Sequence, residues 1–141
     1  MPQLFRAVIF DLDGVLADSE PWWNEIDKKL LGEYSVTYRG EYHRNVLGIS
    51  YRLAVEFYKK TFRLSAPTEE LIRRRGEIAT EFFVTRVGLF PSARLVLEEL
   101  RKMNLHLALA TSDPLLTVIE SATSKQKFYR FFGNGGREVG F

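Results

Sequence analysis

Residues 7–14 read Ala7-Val8-Ile9-Phe10-Asp11-Leu12-Asp13-Gly14, an apolar run followed by two acids one residue apart. The apolar run favours a fully buried strand of a parallel sheet, which we predict over residues 5–10. Because side chains alternate along a strand, Asp11 and Asp13 lie on the same side if the extended path continues. Two carboxylates this close repel each other and tolerate the pairing best with a cation between them. The stretch therefore indicates a Mg²⁺-dependent catalytic pair at the carboxyl end of a strand.

The same residues also allow a simpler interpretation, a turn. Asp-Gly is a common turn pair, and an Asp after a strand often caps a helix. The residues that follow favour the catalytic interpretation, because the whole string from Val8 to Glu20 resembles the first motif of the haloacid dehalogenase superfamily. It most resembles the sugar-phosphate phosphatase and phosphomutase branch of that superfamily. Members of this branch carry a helical cap that is inserted soon after the motif.

The composition is that of an ordinary soluble globular protein, with 141 residues, 45% of them hydrophobic and 27% charged. The net charge of +2 gives no argument for a nucleic-acid partner. The chain has no cysteine, which excludes disulfides, thiolate metal sites and cysteine nucleophiles. No apolar run approaches the ~18 residues that a membrane span needs, and the N-terminus lacks a signal-peptide pattern. We therefore expect a cytoplasmic protein that binds neither nucleic acid nor a membrane.

A long helical segment follows the first motif. Ser19 suits the N-cap of a first helix, and further helices begin near Ser50 and Pro67, each with apolar residues at helical spacing. The stretch over residues 34–48 is mixed and polar, so we expect a short helix and a loop there. No strand pattern interrupts the segment. We therefore predict an all-helical cap over residues 17–87.

The chain then returns to an α/β pattern. Pro91 begins an amphipathic helix, and Leu105–Ala110 reads as a second buried strand. A strand, a helical insert, a helix and a strand form a parallel crossover with a domain spliced into it. We predict an α/β fold, a HAD-like Rossmannoid parallel sheet that is truncated, with the cap inserted into it. The incomplete core comprises residues 1–16 and 88–141.

The second strand ends in Thr111-Ser112, and this end resembles the second motif of the superfamily. A hydroxyl group and neighbouring backbone N–H groups there can hold phosphoryl oxygens, aided by a helix that starts near Pro114. The alternative is that these residues only cap that helix. Because ligands of open α/β sheets bind outside the carboxyl ends of the strands, Thr111 and Ser112 are candidates for phosphate binding.

The resemblance implies a mechanism. Asp11 would attack phosphorus and form an aspartyl-phosphate, while Asp13 would act as a general acid and then as a general base. Mg²⁺ would bind the Asp11 carboxylate and the backbone carbonyl of Asp13. The implied substrate is a small phosphorylated metabolite, over which the cap would close. A phosphomutase of the β-phosphoglucomutase kind shares the first motif and the cap, so it remains an alternative among enzymes.

The resemblance extends over about residues 5–125. Family members continue to a third motif with a Lys near the phosphate and a fourth with one or two acids that complete the Mg²⁺ shell. Lys125 and Lys127 follow the second motif too soon, and Glu138 lacks the apolar strand and the Gly-Asp setting. Exposed charge is the ordinary interpretation of such residues. We expect a C-terminally shortened or frameshifted product with weak or absent phosphatase activity.

These features favour an alternative outside the enzymes, a catalytically silent remnant that acts as a self-associating or partner-binding module. A parallel sheet of two or three strands leaves an apolar face or edge uncovered. The sequence therefore predicts self-association, as a homodimer through the uncovered sheet edge or as a swapped dimer.

Other conspicuous residues have ordinary interpretations. We expect Trp22 or Trp23 to pack in the core, and we expect no substrate contact from His43. The basic run at residues 73–75 reads as a solvated helix face rather than a phosphate clamp. Residues 47–48, Leu-Gly, resemble the cap loop that faces the substrate in relatives.

Overall fold

The structure is a computed structural model, and it describes residues 5–111 and residue 132. Seven helices and strands lie in the described part of the chain. In chain order they are β1 (Ala7–Phe10), α1 (Glu20–Glu33), α2 (Glu41–Arg44), α3 (Tyr51–Phe62), α4 (Thr68–Thr85), α5 (Pro91–Lys102) and β2 (His106–Leu109). None of the helices described is long and apolar enough to cross a membrane.

The two strands form a parallel pair in which Phe10 lies opposite Leu109. The N–H of Ala110 donates to the carbonyl oxygen of Phe10 at 2.8 Å, which extends the pairing by one bond beyond the strands. Both strands therefore end at the same edge, where Asp11 and Thr111 follow them. The predicted α/β fold with a small parallel sheet is confirmed.

The prediction of a fully buried first strand is wrong. Side chains alternate along β1, and Val8 and Phe10 pack in the hydrophobic core beneath α5 with Leu97. Ile9 points from the other face and is 70% exposed, and Phe5 before the strand is 72% exposed. The physical reason is that the hydrophobic core packs against the face of Val8 and Phe10, whereas the described residues leave the face of Ile9 to solvent.

One short segment precedes α1 and another follows α4, and backbone hydrogen bonds join the two segments. The N–H of Asp18 donates to the carbonyl oxygen of Gly88, and the N–H of Phe90 donates to that of Leu16, both at 2.9 Å. The four helices α1 to α4 therefore start and end at one place, close to the carboxyl end of β1. The division into a core and a cap at residues 17–87 stays a prediction.

The helices of this segment pack around α4, which contacts both α1 and α3. Ile26 and Leu30 of α1 meet Ile78 and Phe83 of α4 in one buried cluster. All residues from 20 to 85 are described, and they contain helices and connections but no strand, as the periodicity predicts.

The sequence pattern misplaces parts of two helix faces. Leu53, Val96 and Met103 have the helical spacing typical of core residues but are exposed. In α3 the buried face is rotated toward Val55, because that face packs on α4. The helix α4 ends at Thr85, before Gly88.

Candidate active site

A cavity of about 300 Å³ opens beyond the carboxyl end of β1, between that edge and the helices. Acidic, aromatic and basic side chains share its wall with a loop over residues 46–49. The side chains that bear on its chemistry are Asp11, Asp13, Glu20, Trp23, His43, Tyr51 and Arg75. The cavity thus joins the two acids of the first motif to residues from four of the helices.

Asp11 lies at the end of β1 with an exposed side chain, and its Oδ1 accepts a hydrogen bond from the N–H of Leu12 at 2.7 Å. Leu12 itself is fully buried, and its carbonyl oxygen accepts the N–H groups of Leu16 and Ala17 at 3.0 and 2.9 Å. Gly14 has φ +70°, a conformation that side chains with a Cβ rarely adopt. This tight turn leaves the Asp11 carboxylate accessible from the cavity.

Asp13 differs from Asp11 because it is half-buried and held by two donors. Its Oδ1 accepts hydrogen bonds from Ser19 Oγ at 2.5 Å and from Trp23 Nε1 at 3.2 Å. Burial raises the pKa of Asp13 above its ordinary value, and the negative charges of Asp11 and Glu20 add to that rise. The hydrogen bonds from Ser19 and Trp23 oppose the shift without cancelling it. The two acids therefore have different surroundings within one cavity, one exposed and one half-buried.

Ser19 occupies the N-cap position of α1, as predicted, and Pro21 lies in the first turn. The hydroxyl group of Ser19 makes no capping bond to a backbone N–H group. It donates to the Asp13 carboxylate, and a hydrogen bond to a carboxylate is stronger than one between neutral groups.

Arg75 is the largest departure from the sequence interpretation. It was expected on a solvated face, yet its side chain is only 6% exposed. Its Nε donates to Asp27 Oδ1 at 2.7 Å. Its guanidinium carbon lies 4.8 Å from the ring centroid of Trp23 and 4.5 Å from that of Tyr51. A buried ion pair and two aromatic faces therefore fix this side chain in the wall of the cavity.

Asp27 anchors this arrangement from inside α1, where it is fully buried. Besides Arg75 it accepts a hydrogen bond from the hydroxyl group of Tyr58 at 2.7 Å. Burial acts to raise the pKa of Asp27, but the charge of Arg75 and the hydrogen bonds outweigh it and hold the pKa below its ordinary value. A sequence signal exists for this residue: Trp23, Ile26, Asp27 and Leu30 share one helical face, so the acid interrupts an apolar stripe.

His43 comes from α2, and its side chain is 12% exposed. Its Nδ1 lies 3.8 Å from Asp27 Oδ2, and its Nε2 lies 3.8 Å from Glu20 Oε2. Both distances exceed a hydrogen bond, and within the described residues neither buried ring nitrogen has a hydrogen-bond partner. The sequence placed this residue in a weakly patterned stretch and gave no signal that it lines the cavity.

Residues 8–132 match the family model described as haloacid dehalogenase-like hydrolase. The chain belongs to this family. It is 31% identical over 115 residues to a phosphorylated carbohydrates phosphatase of Thermotoga maritima, a match that covers 82% of this chain and 53% of that protein. It is 26% identical over 116 residues to hexitol phosphatase B of Escherichia coli, with 81% and 52% covered.

The fold of this haloacid dehalogenase-like chain also matches solved structures. CbbY from Rhodobacter sphaeroides, solved in complex with phosphate, superposes with a TM-score of 0.70 at 19% identity, covering 84% of this chain and 57% of that one. This likeness concerns the fold alone. The chain spans about half the length of the curated relatives that it matches.

The other residues suggested by the resemblance have different outcomes. The loop with Leu47 and Gly48 lines the cavity, and Gly48 has φ +72°. Thr111 is described and follows β2 at the edge where Asp11 follows β1, but it is not among the residues that line the cavity. Ser112 lies outside the described residues, as do Lys125, Lys127 and Glu138. The phosphate-binding role of Thr111 and Ser112 stays a prediction.

The donor atoms near Asp11 suit a hard cation in part. Carboxylate and carbonyl oxygens are the ligands that Mg²⁺ takes in proteins, and the exposed Asp11 carboxylate supplies such an oxygen. In the part of the chain that the structure describes, no group of three or more His, Cys, Asp or Glu side chains is placed to hold a metal. Asp11 and Asp13 therefore fit a partial shell, in which other oxygens must complete the coordination.

Proposed function

We propose that this chain carries the nucleophile and the general acid of a Mg²⁺-dependent phosphohydrolase that acts on a small phosphorylated metabolite. One observation supports the proposal above the others. Asp11 and Asp13 line the same cavity, yet Asp11 is exposed whereas Asp13 is half-buried with a raised pKa. Two acids with different environments can take two roles in one reaction. The family and its phosphatase relatives support the same reaction class.

Asp11 is the nucleophile in this proposal. Its carboxylate oxygen attacks phosphorus, the new O–P bond forms an aspartyl-phosphate, and the bond from phosphorus to the leaving oxygen breaks. The hydrogen bond from the N–H of Leu12 holds one carboxylate oxygen and so orients the group. The exposed position at the end of β1 gives the phosphate access to the other oxygen.

Asp13 handles the proton. In its protonated form it gives the proton to the leaving oxygen, and as a carboxylate it then takes a proton from the water that attacks the aspartyl-phosphate. Inorganic phosphate leaves and both carboxyl groups return to their starting states. The raised pKa favours the protonated form needed for the first step. Ser19 and Trp23 bind the same oxygen, Oδ1, which leaves Oδ2 for the transfer.

Asp11, through its carboxylate, and Asp13, through its backbone carbonyl, would hold Mg²⁺. When bound, the ion supplies positive charge that screens the phosphate from the acids. The acidic wall of Asp11, Asp13 and Glu20 otherwise repels an anionic substrate.

We also propose that residues 17–87 form a cap over a core of residues 1–16 and 88–141. The paired backbone at Leu16, Asp18, Gly88 and Phe90 supports this division, because it ties the two connecting segments at one point. A cap on such a narrow connection can exclude water from the cavity. The cytoplasmic location stays a prediction from composition.

The test measures release of inorganic phosphate from p-nitrophenyl phosphate, with Mg²⁺ and with EDTA. We expect turnover with Mg²⁺ that is lost in Asp11→Asn and strongly reduced in Asp13→Asn, while Asp18→Asn serves as an exposed control. Equal turnover in Asp11→Asn and in the unsubstituted chain would falsify the proposal.

The second candidate is a catalytically silent module that associates with itself. Two exposed apolar side chains favour this candidate, that of Phe5 before β1 and that of Ile9 within β1. A chain without turnover that nevertheless forms a dimer would support this candidate over the phosphohydrolase.

A further inference from the structure

We infer that His43 is a proton-operated latch that holds the short helix α2, and the loop over residues 46–49, against α1. When its imidazole is protonated, the side chain bonds to Glu20 and Asp27 of α1, and when the imidazole is neutral, it releases them. The latch belongs to the chain without substrate, so it does not depend on the proposed function. Because His43 and the loop line the cavity, the width of the cavity depends on pH.

The helix α2 is held less firmly than the other helices of its segment. It spans four residues, none of them fully buried, and it has no extensive contact with another described helix, unlike α1, α3 and α4. On one side Tyr42 packs on Phe62 of α3, with 5.0 Å between the ring centroids. On the other side His43 faces α1. The helix α2 thus has one apolar attachment and a second one that depends on the state of an imidazole.

The ring of His43 has hydrogen-bonding capacity that the described residues leave unused, since neither of its buried nitrogens has a partner among them. Glu20 Oε2 lies 3.8 Å from Nε2, and Asp27 Oδ2 lies 3.8 Å from Nδ1. A neutral imidazole has a single N–H group and can donate to one of these carboxylates at most, whereas a protonated imidazole has an N–H group for each. Buried polar atoms without partners cost free energy. Protonation therefore supplies the missing bonds on both sides of the ring.

The charges that face the ring from neighbouring elements favour proton uptake. The helix α1 contributes the carboxylates of Glu20 and Asp27, and α4 contributes the guanidinium group of Arg75, which pairs with Asp27 at 2.7 Å. Tyr58 of α3 adds only a neutral hydroxyl group, which donates to Asp27. One negative charge is therefore in excess around a neutral ring, and a proton on the ring cancels it.

More distant charges do not reverse this balance. Beside and on α2, Arg39 and Glu41 pair with each other at 3.8 Å, and Arg44 is exposed to solvent. Asp11 and Asp13, in the wall of the same cavity, add negative potential. Histidine is the side chain whose ordinary change of charge falls between pH 5 and pH 8, so the latch operates in that range.

Asp27 is the fixed side of the latch, because the buried ion pair and the tyrosine hydroxyl group hold its carboxylate in place. The helix α2 must therefore move toward α1, by about 1 Å, for the Nδ1–H group to reach the length of a charge-assisted hydrogen bond. Glu20 can follow this movement, since its side chain is 56% exposed. The N–H of Val46 donates to the carbonyl oxygen of His43 at 3.0 Å, which transmits the movement to the loop. Protonation thus narrows the cavity on the side of this loop.

Hydrogen–deuterium exchange of the chain without ligand tests the latch, because it measures how often α2 detaches. The backbone amides of residues 42–46 are followed at about pH 5.5 and about pH 8, and each rate is divided by the intrinsic rate at that pH. We expect the protection of these amides to be roughly tenfold higher at the lower pH, as hydrogen bonds to charged groups would give. The amides of residues 24–31 in α1 are the internal reference, for which we expect a change of less than about twofold.

The chain has two histidines, which give a matched pair of variants. His43→Gln keeps a donor and an acceptor but takes up no proton, so we expect the protection of residues 42–46 to become independent of pH. His106→Gln replaces the exposed histidine of β2, and we expect it to retain the full pH dependence. Glu20→Gln removes one of the two carboxylates, and we expect the change between the two pH values to fall to about threefold.

Three results would overturn the inference. The first is equal protection of residues 42–46 at the two pH values in the unsubstituted chain. The second is a pH dependence that His43→Gln leaves intact, and the third is one that α1 shares, because a change in every helix reports global stability. If circular dichroism shows that His43→Gln does not fold, Glu20→Gln decides: a reduced pH dependence supports the latch, and an unchanged one overturns it.

Discussion

The indole Nε1 of Trp23 donates to the Asp13 carboxylate at 3.2 Å, and its ring stacks on the guanidinium group of Arg75. One side chain of α1 therefore touches both the candidate general acid and the buried ion pair behind the cavity. Because Asp27 holds Arg75 from the other side, Asp13 is linked to the interior of the helical segment by three consecutive contacts. The position of the acid thus depends on how the helices pack.

Replacing Trp23 by Phe tests this link. The substitution keeps an aromatic ring but removes the donor to Asp13, and hydrogen bonds to charged groups contribute about 1.5–3 kcal/mol. We expect kcat for p-nitrophenyl phosphate to fall roughly tenfold or more, with a smaller change in KM. Trp22→Phe is the matched control, since Trp22 packs on Phe82 at 6.0 Å between ring centroids. Equal losses in the two variants would mean that ring packing matters and the hydrogen bond does not.

The raised pKa of Asp13 makes a prediction about stability. A carboxyl group whose pKa is raised by folding binds its proton more tightly in the folded state, so its contribution falls as pH rises above the unfolded value of 3.8. In metal-free buffer, Asp13→Asn should therefore gain stability relative to the unsubstituted chain between pH 4 and pH 7, measured by thermal unfolding. A difference in Tm that is constant over this range would contradict the assigned shift.

For Asp27 we expect the opposite dependence of stability on pH. Its folded pKa is lowered, so its contribution to stability is present above the unfolded value of 3.8 and is lost as pH falls through the folded value. At neutral pH, Asp27→Asn leaves the Arg75 charge buried without its partner, and breaking a buried pair in this way costs about 3–5 kcal/mol. Urea unfolding measures the loss, with Asp18→Asn as an exposed control. A cost below about 1 kcal/mol would show that the pair does not hold the helices together.

Self-association through β1 is a separate expectation from the sequence. Ile9 projects from the uncovered face of the strand pair, and a second copy of the chain that packs on this face would bury it. We expect sedimentation to show dimers at tens of micromolar, and Ile9→Lys to shift the population toward monomers. If the unsubstituted chain sediments only as a monomer at that concentration, the prediction is wrong.

The sequence predicted those parts of the molecule that depend on local pattern. The strand before Asp11 and the helix starts near Ser50 and at Pro91 are readable because strands and helix ends have short signatures, and the structure confirms them. The side chain of Ser50 accepts the N–H of Leu53 at 3.4 Å, as a capping residue should. The same local reasoning predicts that Asp11 and Asp13 lie on one side of the chain, and both residues line the cavity.

The sequence did not indicate that Arg75 and His43 line the cavity, because their positions depend on partners that are distant in the chain. Arg75 stands beside Arg73 and Arg74, which bond to acids on exposed surfaces, so its neighbours suggested a solvated run. Its burial follows from Asp27 in another helix, and no pattern within α4 reveals that contact. His43 likewise acquires its position from Asp27 and Glu20. The wall of the cavity opposite the acids was therefore beyond sequence reasoning, although the acids were not.

In the proposed reaction Asp11 takes up the phosphoryl group. Acid quench of the chain after mixing with p-nitrophenyl phosphate and Mg²⁺, followed by peptide mass spectrometry, measures this directly. We expect the peptide containing residues 7–14 to gain the mass of one phosphoryl group, located on Asp11, and we expect no such gain in Asp11→Asn. Turnover without any phosphorylated peptide, or a phosphoryl group on another residue, would contradict it.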